Sequence, residues 1–81
     1  MNLYDNSDFW WMIGLWLGDG CFDKYGVLFS INKSEKEIID RLDRIFTDII
    51  PCKHYFNEGD GCVRYYAKDI NLVKWIISCF G

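Results

Sequence analysis

The chain has 81 residues and a formal charge of −3, from 12 acidic against 9 basic side chains, a balance that argues against tight nonspecific binding to nucleic acid. With 51% hydrophobic and 19% aromatic residues it is too rich in bulky side chains for a disordered or linker segment, and one folded domain over residues 1–81 is expected. Cys21, Cys52, Cys62 and Cys79 lie too far apart, and His54 is too isolated, for a paired-cysteine zinc site.

Asn6-Ser7-Asp8 is N-cap chemistry, and it opens a helix through Phe9, Trp10, Met12, Ile13, Leu15, Trp16 and Leu17 that Gly18-Asp19-Gly20 closes. This helix is apolar almost all the way round, so it has to lie between its own core and a second apolar surface. Two short runs, Cys21 to Tyr25 and Val27 to Asn32, follow on either side of Gly26 and predict a hairpin. A second helix is expected from Ser34-Glu35-Lys36-Glu37, which has capping-box spacing, with Ile38, Ile39, Leu42, Ile45, Phe46 and Ile49 on its buried side and Asp40, Asp43 and Asp48 on its wet side.

Pro51 ends that helix. A second hairpin is expected from Cys52 to Asn57 and Cys62 to Lys68 around Glu58-Gly59-Asp60-Gly61, and Asn71 is expected to cap a last helix, Leu72 to Phe80. The order is αββαββα, an α+β fold in which both hairpins join one four-stranded antiparallel sheet covered by helices on one side. Alternation assigns Asp23, Tyr25, Leu28, Ser30, Asn32, Lys53, Tyr55, Asn57, Arg64, Tyr66 and Lys68 to the open face.

No apolar run approaches the roughly 20 residues of a membrane span. Met1 to Ser7 lacks the basic start of a signal peptide, so a soluble, cytoplasmic protein with reduced thiols and no membrane partner is expected, with Cys79 read as a small core residue. His54 reads as a structural side chain of the second hairpin.

Gly14 and Gly18 sit one turn apart on the same face of the first helix, and neither has a side chain to hold a second backbone away. Two copies packed on that face bring two Asp19 side chains together, and paired carboxylates repel unless a cation lies between them. A hard divalent ion accepts such oxygen ligands and also polarises a phosphodiester.

The stretch Ile13-Gly14-Leu15-Trp16-Leu17-Gly18-Asp19-Gly20 resembles the LAGLIDADG motif of homing endonucleases, in a variant similar to that of intein-associated domains, and the family's element order matches the whole chain. The resemblance implies a site-specific, double-strand DNA endonuclease. With one motif per chain it would act as a homodimer, with Trp10, Ile13, Gly14, Leu17 and Gly18 at the interface. It further implies that Asp19 and the Gly18 carbonyl hold Mg²⁺, with Ca²⁺ or Mn²⁺ as substitutes, and that basic residues lie near the metal, for which Lys33, Lys53 and Lys68 are catalytic candidates by location. The open face would lie along DNA, offering Asp23, Tyr25, Ser30, Asn32, Lys53, Tyr55, Asn57, Arg64, Tyr66 and Lys68 as contacts. The competing expectation is a protein of the same fold that cuts nothing, either a DNA-binding regulator or an acidic inhibitor of a nucleic-acid-binding protein.

Overall fold

The computed structural model describes residues 5–80, without the side chain of Asp19. Its elements are helix α1 (Ser7–Asp19), strands β1 (Gly20–Phe22) and β2 (Val27–Asn32), helix α2 (Lys36–Arg44) continued by a π-helical turn (Ile45–Ile49), strands β3 (Lys53–Glu58) and β4 (Cys62–Lys68), and helix α3 (Ile70–Phe80). The expected αββαββα order is present. The four strands form one antiparallel sheet in the order β1-β2-β4-β3, so the two hairpins meet through β2 and β4.

Helices α1 and α3 start where a side chain satisfies otherwise unpaired amides, and α2 has no such cap. The Asn6 side-chain oxygen accepts the Asp8 and Phe9 amides at 2.8 and 3.2 Å and opens α1 as expected. At α3 the cap is Asp69 rather than Asn71. Its carboxylate accepts the Asn71 and Leu72 amides at 2.9 and 3.1 Å, and the helix begins at Ile70. The Ser34–Glu37 capping box does not form either. The Asn32 side-chain oxygen takes both the Ser34 amide, at 3.0 Å, and the Ser34 hydroxyl, at 2.9 Å, so that serine belongs to the turn before α2.

The helices cover one side of the sheet. Val27, Phe29 and Ile31 of β2 and Val63, Tyr65 and Ala67 of β4 point into a single core with Phe9, Met12, Ile13 and Trp16 of α1. Ile39 and Leu42 of α2, Ile45 and Phe46 of the π turn, and Leu72, Val73 and Ile76 of α3 close it. Burial of each such side chain contributes about 1.5–3 kcal/mol, which is how a chain this short stays folded. The π turn lets the α2 segment end against Pro51, with the Ile50 amide donating to the Ile45 carbonyl at 2.8 Å, five residues back.

Two sequence expectations about individual side chains are overturned. Asp43 is not simply on the wet side of α2, because the hydroxyl of the fully buried Tyr65 donates to its carboxylate and His54 Nε2 lies 3.8 Å from it. Cys79 is exposed rather than buried, and Phe80 is the residue of that last turn that contacts Trp16 and Trp75. His54 does belong to the second hairpin's packing, stacked on Tyr65 at 6.2 Å with Nδ1 2.8 Å from the Cys52 carbonyl oxygen. No helix among the described residues is long and apolar enough to cross a membrane.

Candidate functional site

The residues expected at the site fall on two surfaces: the outer strip of α1 and the open side of the sheet. On α1 the inward face takes Phe9, Met12, Ile13 and Trp16, while Trp10, Gly14, Leu17 and Gly18 face outward at helical spacing. Trp10 is 45% and Leu17 56% exposed, although both are large and apolar. Among the described residues a Cβ placed on Gly14 or Gly18 would meet nothing within 4 Å, so none of their side chains fills the space over either glycine. Ile13, expected on this strip, is 2% exposed and belongs to the chain's own core, where a second copy cannot touch it. The outer strip is therefore Trp10, Gly14, Leu17 and Gly18.

The strip ends in a fixed exit. The Gly20 amide donates to the Trp16 carbonyl, and the Trp16 indole Nε1 donates to the Cys21 carbonyl at 2.8 Å, so one buried ring ties the last turn of α1 to β1. A Cβ on Gly20 would lie 2.5–2.8 Å from the Trp16 side chain, carbonyl and Cα, which reserves the position for glycine. Asp19, the last residue of α1, occupies this exit, and its side chain is outside the described atoms.

A hard divalent ion takes about six oxygen ligands. By sequence the end of α1 carries the Gly18 carbonyl and the Asp19 carboxylate as oxygen groups, and the described residues contain no group of three or more His, Cys, Asp or Glu suited to a metal.

On the open side of the sheet the strand residues Leu28, Ser30, Asn32, Lys53, Tyr55, Asn57, Arg64, Tyr66 and Lys68 share one face, as alternation assigned them. Tyr55 pairs with Tyr66 and Tyr66 with Leu28, Asn57 pairs with Arg64 and Arg64 with Ser30, and Lys53 pairs with Lys68. Asn32 lies opposite Cys62 and Leu28 opposite Cys21, which adds two cysteines that alternation had not singled out. Asp23, Tyr25, Leu28, Lys53, Tyr55, Asn57, Arg64, Tyr66 and Lys68 line one shallow groove of about 720 Å³, together with His54.

Asp23 and Tyr25 reach this groove from the β1–β2 turn rather than from a strand, because β1 stops at Phe22. The Asp23 carboxylate accepts the Tyr25 and Gly26 amides at 2.8 and 2.9 Å and the Tyr66 hydroxyl at 3.2 Å. The Tyr25 amide first of all, with the other two donors, holds its pKa below the ordinary carboxylate value. Asp23 is therefore the brace of this turn. Partial desolvation and then the Asp23 charge push the Tyr66 phenol in the opposite direction, upward.

The charges are segregated. The groove carries Lys53, Arg64 and Lys68 against Asp23 alone, whereas Glu37, Asp40 and Asp48 stand exposed on the helical side. None of the three groove cations takes part in an ion pair among the described residues, and Lys53 lies directly opposite Lys68, a like-charge pairing that costs stability unless an anion neutralises it. Lys33 is elsewhere. Its ammonium is 4.0 Å from Glu58 at the β3–β4 turn, one residue beyond the Asn32–Cys62 rung, while Lys68 lies one residue beyond the Val27–Ala67 rung at the other end. About seven strand residues, roughly 23 Å, separate them, so Lys33 and the Lys53–Lys68 pair do not share a site.

Compared with models of known families, with curated proteins and with solved structures, the chain matches none.

Proposed function

We propose that the protein is a homodimeric, divalent-metal-dependent endonuclease acting on double-stranded DNA. The observation that carries the proposal is the outer strip of α1, where bare Gly14 and Gly18 alternate with exposed Trp10 and Leu17 and lead directly to Asp19. An apolar strip without side chains at its centre is suited to close contact with an identical helix, and a twofold contact is self-complementary. Symmetry then places two Gly18 carbonyls and two Asp19 carboxylates at one seam.

Those four groups would hold Mg²⁺, with Ca²⁺ or Mn²⁺ as substitutes, and the ion would supply polarisation of the phosphodiester at the seam. The open sheet faces of the two chains would lie along the duplex and offer the groove residues to bases and phosphates. Lys53 and Lys68 sit together and act as a unit towards phosphate. Lys33, held at the opposite end beside Glu58, is a contact to a different part of the backbone.

The competing reading is a DNA-binding regulator or an acidic inhibitor of the same fold, and the exposed acids Glu37, Asp40 and Asp48 favour the inhibitor. The test that separates them is incubation of the protein with a randomised duplex library and Mg²⁺, followed by sequencing of the ends. Metal-dependent double-strand cuts that Asp19→Asn abolishes without loss of dimer or fold support the nuclease. Cuts that persist in Asp19→Asn, or the absence of cuts in the presence of a stable dimer, refute it.

A further inference from the structure

The open sheet face has a composition that a duplex binder would not require. Its centre is aromatic: Tyr55 and Tyr66 face each other across β3 and β4 with ring centroids 5.3 Å apart and planes at 44°, and Tyr55 is 55% exposed. Tyr25, 49% exposed, adds a third ring at the turn that Asp23 braces. The cations flank the rings: Lys53 and Lys68 occupy the rung on one side, and Arg64 occupies the rung on the other beside Asn57.

Duplex binding draws on many phosphate contacts, since each strand presents a charge about every 3.4 Å. Three cations on a chain of net charge −3 supply little of that. Stacking of an unpaired base on an aromatic ring needs no net charge, and it is unavailable to a base already stacked within a duplex. Rungs on the same face of the sheet are roughly 6.7 Å apart, so a base on Tyr55 or Tyr66 leaves its flanking phosphates within reach of the cations on either side.

We infer that this face binds single-stranded nucleic acid, with unpaired bases stacked on Tyr55, Tyr66 and Tyr25 and phosphates held by Lys53, Lys68 and Arg64. The lysine pair that is unfavourable in the empty face becomes favourable when a phosphate lies between the two ammonium groups. The binding does not depend on the α1 seam, so a monomer has the whole platform, and it goes beyond the duplex reading above.

The test is fluorescence anisotropy at low salt with labelled 12-mers of deoxythymidine and of uridine, and with a 12-base-pair duplex. Single strands are expected to bind at least tenfold more tightly than the duplex, with the deoxythymidine and uridine arms showing whether DNA or RNA is preferred. Tyr55→Leu, at an exposed position that leaves the core intact, is expected to weaken single-strand binding roughly 5- to 150-fold with an unchanged circular dichroism spectrum. Two phosphates, one between Lys53 and Lys68 and one at Arg64, give a log–log salt slope of roughly −1.4, which Arg64→Gln reduces by about 0.7.

Binding of the duplex as tightly as single strands, or unchanged single-strand affinity in Tyr55→Leu, overturns the inference. Tight duplex binding without single-strand binding overturns it and leaves the endonuclease proposal standing. Single-strand binding alone supports it and tells against the duplex substrate. Binding of neither sinks both.

Discussion

Replacing Gly14 and Gly18 together with alanine acts in opposite directions on the two properties that the outer strip of α1 controls. Within one chain the change is favourable. Both residues are helical, neither has a positive φ, and an added Cβ meets nothing within 4 Å among the described residues, so no contact with them is strained. Alanine is favoured over glycine inside a helix by about 0.8–1.0 kcal/mol, and the sum here is about 1–2 kcal/mol because Gly18 lies close to the helix end. For a domain of this size that raises Tm by roughly 5–10 °C.

At a seam of two such helices the same methyl groups push the backbones apart. Each copy contributes two of them to the contact. Overpacking of this kind costs about 1–3 kcal/mol, and 1.4 kcal/mol is tenfold in a dissociation constant. Thermal unfolding in dilute solution, paired with sedimentation across a concentration series, reads both effects in one protein. A variant that is more heat-stable yet dissociates at least tenfold more readily is the expected outcome. A variant that gains the heat stability and associates as tightly as its parent would refute the idea that the glycines serve a second copy.

Other consequences concern the fold around the two surfaces. Gly20→Ala is expected to cost about 2 kcal/mol, roughly 10 °C in Tm by calorimetry, because its Cβ would lie within 3 Å of the Trp16 carbonyl and Cα. The Tyr65 phenol has its pKa raised by burial and then by the Asp43 carboxylate. A raised folded-state pKa gives stability that is present below the unfolded value near 10 and lost as pH rises above it, so urea titrations are expected to show an alkaline decline that Tyr65→Phe flattens. The lowered pKa of Asp23 gives the opposite limb: its contribution is present above the ordinary carboxylate value and disappears as pH falls through the folded-state value, and Asp23→Asn is expected to remove that acid dependence in the same titrations.

Much of this architecture was legible in the chain because periodicity reports burial. Val27, Phe29 and Ile31 alternate with Leu28, Ser30 and Asn32, and that pattern placed the buried and open sides of β2 correctly, while the register of the second hairpin was fixed only by the pairing of β3 with β4. The facing of α1 was not legible in the same way. A helix that is apolar all round carries no phase information, so only its packing on β1 and β2 decides that Ile13 turns inward while Gly14 and Leu17 turn outward.

The ends of the helices were misread where two residues could supply the same chemistry. Asp69 rather than Asn71 accepts the amides of α3, and Asn32 takes the Ser34 side chain away from its capping box. Asp43 was read as solvated because its partner, Tyr65, lies 22 residues away on another element and no local pattern joins them. The three candidate lysines were grouped by their location in the expected fold. Only the strand order β1-β2-β4-β3 reveals that Lys53 and Lys68 meet while Lys33 sits at the far end of the sheet.

The seam at α1 is tested most directly by the mass of the unaltered protein in solution, measured by sedimentation equilibrium from 1 to 100 µM with and without Mg²⁺. A species of twice the 9.6 kDa chain mass is predicted, shifting to lower concentration when Mg²⁺ is present and lost in Leu17→Asp, where a charge lands on the outer strip. A single-chain mass at 100 µM with Mg²⁺ would leave the bare strip of α1 without its second copy and contradict the proposed function at its base.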